Sequence, residues 1–210
     1  GGGGDNDLEA FTGITVGLFF SLAVPVVTLV LASSSLGDER RDSTLSFIAL
    51  KPIPRSMIAL AKIVAGLVAS GIVLGAGAVV LGLARGMQAG EWDYIVPLGV
   101  SAIVAAGIYA SLFTPLGFLT NRATLVGLAY VFIWEGAVAG AVSALRGVSA
   151  WRIGVSAFAA MAPDEVVDLV RDFALDPIEP GVGGAVLKML AVVAVAALLT
   201  TWILRRRDLA

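Results

Sequence analysis

The chain has neither cysteine nor histidine among its 210 residues. It therefore lacks a thiol nucleophile, an imidazole base and the two commonest soft metal ligands. These absences exclude disulfide bonds, most zinc sites and most catalytic triads. The sequence also lacks the G-x-x-x-x-G-K-[ST] phosphate-binding loop, so the chain cannot hydrolyse ATP by that route. We expect no catalytic residue, no metal site, no cofactor and no enzyme activity on this chain.

Charged residues are scarce as well. They make up 14% of the chain, whereas a soluble domain usually carries about a quarter. The formal net charge of −2 offers no basic face that could displace the counterions of a nucleic acid, so no nucleic-acid partner is expected. With 58% hydrophobic residues, a water-soluble fold of this size could not bury its apolar surface.

The hydrophobic residues are gathered into long runs. About 20 helical residues, each rising 1.5 Å, cross the roughly 30 Å hydrocarbon core of a bilayer. The sequence therefore predicts an all-α, polytopic transmembrane helical bundle that forms a single domain of residues 1–210. Five spans are expected, at about residues 11–36, 57–84, 94–119, 123–145 and 182–204.

Orientation follows from the lysine and arginine residues of the loops, because these are enriched on the cytoplasmic side. One set of loops holds Arg40, Arg41, Lys51, Arg55, Arg122, Arg205, Arg206 and Arg207. The other set holds Arg85, Arg146, Arg152 and Arg171 together with most of the acids. We therefore expect a multi-pass protein of the cell membrane with a cytoplasmic loop 37–55, an extracellular loop 146–181 and a cytoplasmic C-terminus. The first visible span would then start outside, which predicts a sixth span upstream.

The polar loop 37–55 has internal order. Leu45, Ile48 and Ala49 recur at i, i+3 and i+4, which predicts a short helix with one apolar stripe between about Asp42 and Leu50. Pro52 should end this helix, because the residue before a proline avoids the α region. From the residues alone, the helix could rest on anionic lipid or could dock on a soluble partner.

The same loop resembles a known family. The resemblance rests on Glu39-Arg40, Thr44-Leu45, Pro52, Arg55, Lys62 at the start of the next span, and the ending Arg206-Arg207-Asp208-Leu209. This pattern is similar to the first cytoplasmic loop and the closing residues of type-2 ABC transporter permeases, especially the six-span NosY-like group. A six-span permease would also account for the expected upstream span.

The resemblance implies an ATP-driven exporter. Loop 37–55 would be a coupling helix seated in a groove of a separate cytoplasmic ATPase, which would hold ATP and Mg, and a second permease chain would complete a homodimer or heterodimer in the membrane lipid. Physically, a small apolar stripe ringed by charges suits such docking. The implied contacts with the ATPase are Glu39, Arg40, Arg41, Thr44, Leu45, Phe47, Ile48, Leu50, Lys51, Pro52 and Arg55.

Glu135 is the one acid inside the predicted spans. An acid near the bilayer centre costs about 2.5 to 3.5 kcal/mol on insertion scales, so Glu135 should face the bundle, a cavity or a partner. It is our candidate for an intramembrane polar site, either for a substrate or proton or as a hydrogen-bonded acid that joins helices. An ion-gradient-driven secondary transporter or channel, with Glu135 as its coupling residue, is the alternative function.

The segment after the fourth predicted span is the longest polar one. Ala150 to Ala162 is apolar but too short to span, so it should lie in the interface or dip into it. Pro163, Asp164 and Glu165 predict the start of a second short helix. By resemblance this segment would be a lid over the outer exit, whereas the pattern alone fits a connector that lies on the membrane equally well.

Overall fold

The computed structural model describes residues 2–41, 53–138, 147–174 and 181–206. Within these ranges every regular element is helical, which confirms the predicted all-α bundle. We number the helices α1 (Gly2–Gly13, a π-helical stretch Ile14–Ala23, and Val24–Arg41), α2 (Arg55–Ala89), α3 (Ile95–Leu119), α4 (Ala123–Ala129, then π-helical Tyr130–Val138), α5 (Ala150–Ala159), α6 (Asp164–Ala174) and α7 (Gly181–Arg206).

Four of these helices are long and apolar enough to cross a membrane. Their qualifying segments are Asn6–Asp38, Arg55–Ala89, Ile95–Leu119 and Gly181–Arg205. The remaining predicted span, 123–145, is described only to Val138, and its apolar part, Ala123–Gly136, is a shorter helix. Residues 139–145 of that prediction lie outside the described residues.

Helix α1 continues beyond its predicted end at Leu36 and runs to Arg41, so the first five residues of the predicted loop 37–55 are helical. The uncharged run ends at Gly37, but the helix does not, and Gly37 is a close packing point. A Cβ at Gly37 would lie 3.1 Å from the carbonyl oxygen of Gly117 in α3, and a Cβ at Gly117 would overlap the carbonyl of Ser33. The two glycines thus allow α1 and α3 to cross backbone against backbone.

Helix α3 is the centre of the bundle. It packs against α1, α2, α5 and α7, and 67% of its most apolar window is buried, against 11% for α7. Its buried side chains include Leu98, Ala102, Tyr109 and Phe113. Helix α7 is therefore the peripheral helix of the four, and most of its leucines face outward.

The short helix α5 dips into the bundle and does not lie on its surface, so of the two expected placements the structure favours the second. Nine of its ten residues are buried, and it packs against α3, α7 and α1. Gly154 makes this possible, because a Cβ there would come within 2.7 Å of the Ala105 Cβ in α3. Helix α6 follows as predicted, with Asp164 and Glu165 in its first turn and its apolar Val166 and Val170 buried.

Candidate functional site

The eleven residues predicted to contact an ATPase are only partly described. Thr44, Leu45, Phe47, Ile48, Leu50, Lys51 and Pro52, with the predicted helix between Asp42 and Leu50, lie outside the described residues. Glu39, Arg40 and Arg41 lie on the last turn of α1, and their side chains are outside the described set. Arg55 begins α2 and is described in full.

Arg55 binds within the chain. Its guanidinium donates a hydrogen bond to the backbone carbonyl of Leu204, 149 residues away at the end of α7. The last carbonyl oxygens of a helix accept no hydrogen bond from within the helix. A cation near them also meets the negative end of the helix dipole. Arg55 therefore ties the first turn of α2 to the last turn of α7, a contact that no sequence pattern indicates.

A small apolar cluster lies next to this contact. We call it the loop-end cluster; it consists of Leu36, Ala59, Phe118 and Leu204, all at most 3% exposed. These residues come from α1, α2, α3 and α7, one from each of the four long helices. The ends of all four helices are therefore packed together where α1 leads into loop 37–55 and α2 leads out of it.

The second candidate site, Glu135, lies in the π-helical stretch of α4. Its Oε1 accepts a hydrogen bond from the backbone N–H of Ala150 at 3.0 Å, and its Oε2 accepts one from the hydroxyl of Ser149. Ser149 is the N-cap of α5, and its Oγ also accepts from the backbone N–H of Arg152 at 3.1 Å. The carboxylate thus meets the positive end of α5, where free N–H groups favour an anion.

Aromatic side chains fix the stretch that carries Glu135. Tyr109 stacks on Phe113 with ring centroids 5.6 Å apart, Phe113 meets Tyr130 edge-on at 6.0 Å, and Tyr130 stacks on Trp134 at 6.3 Å. This row of rings runs from the central helix α3 onto the turn before Glu135. π-Helical stretches insert one residue into a turn and are frequent at functional sites.

A residue that sequence reasoning missed approaches the same connector from another helix. The Nζ of Lys188, in α7, lies 3.4 Å from the carbonyl oxygen of Gly147 and donates to it. The available signal was a lone lysine seven residues inside an apolar span, which is costly without a partner. Glu135 and Lys188 therefore bind one four-residue connector, Gly147–Ala150, from two different helices.

The turn between α2 and α3 is held by its own ion pair. The side chain of Arg85, only 4% exposed, lies 3.0 Å from Glu91 Oε2, and its guanidinium carbon lies 5.7 Å from the centre of the Phe11 ring. Gly90 turns the chain with φ of 77°, a conformation that favours glycine. This pairing explains how a buried arginine is tolerated.

An apolar groove of about 380 Å³ lies between the second half of α3, from Ser111 to Leu119, and α7 from Ala191 to Ile203. Its lining includes Leu112, Pro115, Val192, Val195 and Leu199. Such a surface fits a hydrocarbon chain rather than a polar solute.

Among the residues that the structure describes, no group of three or more acids could hold a metal ion.

Comparison with known proteins places the chain in a family. A family model described as ABC-2 family transporter protein matches residues 4–135, which is more than half of the 210 residues. The matched region runs from α1 through loop 37–55 to Glu135. No curated protein and no solved structure matches the chain. The match confirms the predicted family, while the NosY-like group stays a prediction. The chain belongs to the ABC-2 transporter family and is a multi-pass membrane permease of an ABC transporter.

Proposed function

We propose that the chain is the permease subunit of an ATP-driven exporter and that a separate cytoplasmic ATPase drives it through loop 37–55. The observation that carries the proposal is the loop-end cluster. The loop joins α1 to α2, and the cluster packs the ends of those two helices against α3 and α7. A force on the loop would therefore act on all four long helices together.

Arg55 strengthens this link. It stands at the end of the loop, and its hydrogen bond reaches α7, the helix that is most weakly packed in the bundle. Helix α7 also packs directly against α2 and α3, so the Arg55 hydrogen bond adds a polar contact to this packing at the loop end. ATP and Mg belong to the partner subunit in this proposal, and a second permease chain would complete the transporter.

The geometry of Glu135 bears on the alternative function. Both carboxylate oxygens are engaged by the connector to α5, which is the arrangement of an acid that joins helices. This favours the ATP-driven exporter over a transporter that uses Glu135 to couple an ion gradient.

The test uses the natural absence of cysteine. A single Leu45→Cys variant, treated in native membranes with a bifunctional thiol reagent, should crosslink to a protein that carries an ATP-binding motif. The matched control is Val148→Cys, on an exposed residue of the connector, which should give no such product. Transport in vesicles that persists without ATP and collapses with the proton gradient would contradict the proposal.

A further inference from the structure

Two ionisable side chains inside the membrane helices form hydrogen bonds with the same short connector. Glu135 of α4 binds the hydroxyl of Ser149 and the N–H of Ala150, and Lys188 of α7 binds the carbonyl of Gly147. The signs are complementary, since the anion meets N–H and O–H donors and the cation meets a carbonyl. Charge-assisted hydrogen bonds are the stronger kind.

The connector leads directly into α5, which is buried inside the bundle. Phe158 packs against Phe20 of α1. Gly154 lies against Ala105 of α3. Yet α5 is only ten residues long, and an isolated helix of that length is marginal without outside contacts. The position of α5 therefore depends on what holds its first turn.

Some polar groups near the Glu135 and Lys188 contacts have no hydrogen-bond partner among the described residues. Among the described residues, the buried hydroxyl of Ser156 and the indole N–H of Trp151 are unpaired. Both residues belong to α5. Buried unpaired groups are costly, and they become paired when water enters. These unpaired groups make the buried position of α5 less stable than its apolar packing alone would make it.

We propose that Glu135 and Lys188 are positioning residues that clamp the Gly147–Ala150 connector, hold α5 inside the bundle and must release it for that end of the bundle to open. The inference rests on the proposed function only for what drives the release. The clamp itself is a property of this chain.

The test measures access to α5 in the full chain in membranes. Ser156→Cys is a conservative probe, because the serine is 4% exposed and its hydroxyl has no partner among the described residues. A membrane-impermeant maleimide should label it slowly, whereas Val148→Cys, on a residue 58% exposed, should be labelled rapidly. Adding Glu135→Ala should raise the labelling rate at the probe at least tenfold, because it removes two hydrogen bonds to the connector and the loss of a single charge-assisted one changes a two-state equilibrium by about tenfold or more.

Matched variants keep the result decisive. Phe132→Ala, at an exposed neighbour of Glu135, should leave labelling unchanged, and so should Leu187→Ala beside Lys188. Lys188→Met should raise labelling by less than Glu135→Ala, because its contact is longer. If Glu135→Ala fails to accumulate in membranes, Glu135→Gln and Ser149→Ala each remove part of the same contact and should give intermediate rates. Equal labelling of the probe in the parent and in the Glu135 and Lys188 variants would overturn the clamp.

The nucleotide response separates this inference from the proposed function. With the partner ATPase present, ATP and vanadate should raise labelling of Ser156→Cys in the parent and should add little in the Glu135→Ala background. A probe that opens with Glu135→Ala but never responds to nucleotide would leave the clamp standing and count against ATP-driven transport.

Discussion

The two ends of the bundle are held together by different chemistry. The loop end relies on apolar packing, with Leu36, Ala59, Phe118 and Leu204 buried against one another. The connector end has apolar packing around α5 and adds polar contacts, in which Glu135 and Lys188 bind backbone and hydroxyl groups. Separating the closely packed side chains of four helices loses their van der Waals contacts, whereas the polar groups at the connector can exchange their partners for water. We therefore expect the loop end to move as one unit and the connector end to be where the bundle opens.

Breaking the apolar end should have the largest effect on stability. Phe118→Ala should lower the free energy of unfolding by about 3 to 5 kcal/mol, because it leaves a cavity between four helices. The measurement is thermal unfolding of the purified protein in mild detergent. Leu119→Ala is the control, since Leu119 is 41% exposed, and it should shift the midpoint little. Equal shifts for the two variants would contradict the loop-end cluster.

Breaking the polar end should cost less. Glu135→Ala leaves the Ala150 N–H and the Ser149 hydroxyl without their acceptor, which costs about 1 to 3 kcal/mol for each unpaired group. Part of this cost is regained because the acid no longer has to be inserted into the membrane, at about 2.5 to 3.5 kcal/mol. We expect a small net shift of the unfolding midpoint, with Glu135→Gln smaller still. A loss as large as that of Phe118→Ala would show that the two ends do not differ as described.

Arg55 sharpens the comparison because it is a polar contact at the apolar end. Arg55→Ala should lower the free energy of unfolding by about 1 to 2 kcal/mol, in the range of a hydrogen bond to a charged group. ATP-dependent transport should fall more than ATPase binding does, which quantitative co-purification measures. Arg55→Lys keeps the charge and should retain part of the transport. Loss of ATPase binding with Arg55→Ala would instead make Arg55 a direct partner contact.

The ion pair of the turn between α2 and α3 should give the smallest effect. A double-mutant cycle with Arg85→Met and Glu91→Gln should show a coupling energy of about 0.5 to 1 kcal/mol, because Glu91 is 41% exposed and the pair is partly screened by solvent. Chemical denaturation of the four proteins measures this energy. A coupling several times larger would place this turn, rather than the connector, among the main supports of that end.

Much of the fold could be predicted from the sequence, because an apolar run of sufficient length has few alternatives in a membrane. The predicted spans 57–84, 94–119 and 182–204 match α2 (Arg55–Ala89), α3 (Ile95–Leu119) and α7 (Gly181–Arg206) to within five residues at each end. Helix α1 runs five residues past the predicted end at Leu36, to Arg41. The polar residues after Leu36 end the apolar run but not the helix, and only the structure shows that Gly37 lies against Gly117.

The candidate sites were less predictable, because they depend on contacts between distant segments. The family and the importance of Glu135 could be inferred from local motifs and from the cost of a buried acid. The acceptor of Arg55, 149 residues away, and the role of Lys188 could not. The sequence left open whether α5 lies at the surface or dips inward, because an apolar segment too short to span has the same composition on a membrane surface as inside a bundle. The ATPase contacts of loop 37–55 stay predictions.

The central claim is that movement of loop 37–55 reaches the connector end through the loop-end cluster and Arg55. The most direct test is maleimide labelling of Ser156→Cys, with and without ATP and vanadate, in the parent and in Arg55→Ala with the ATPase bound. Labelling should rise with nucleotide in the parent and should stay low in Arg55→Ala, while crosslinking at Leu45→Cys is unchanged. An equal nucleotide-dependent rise in both proteins would contradict the account.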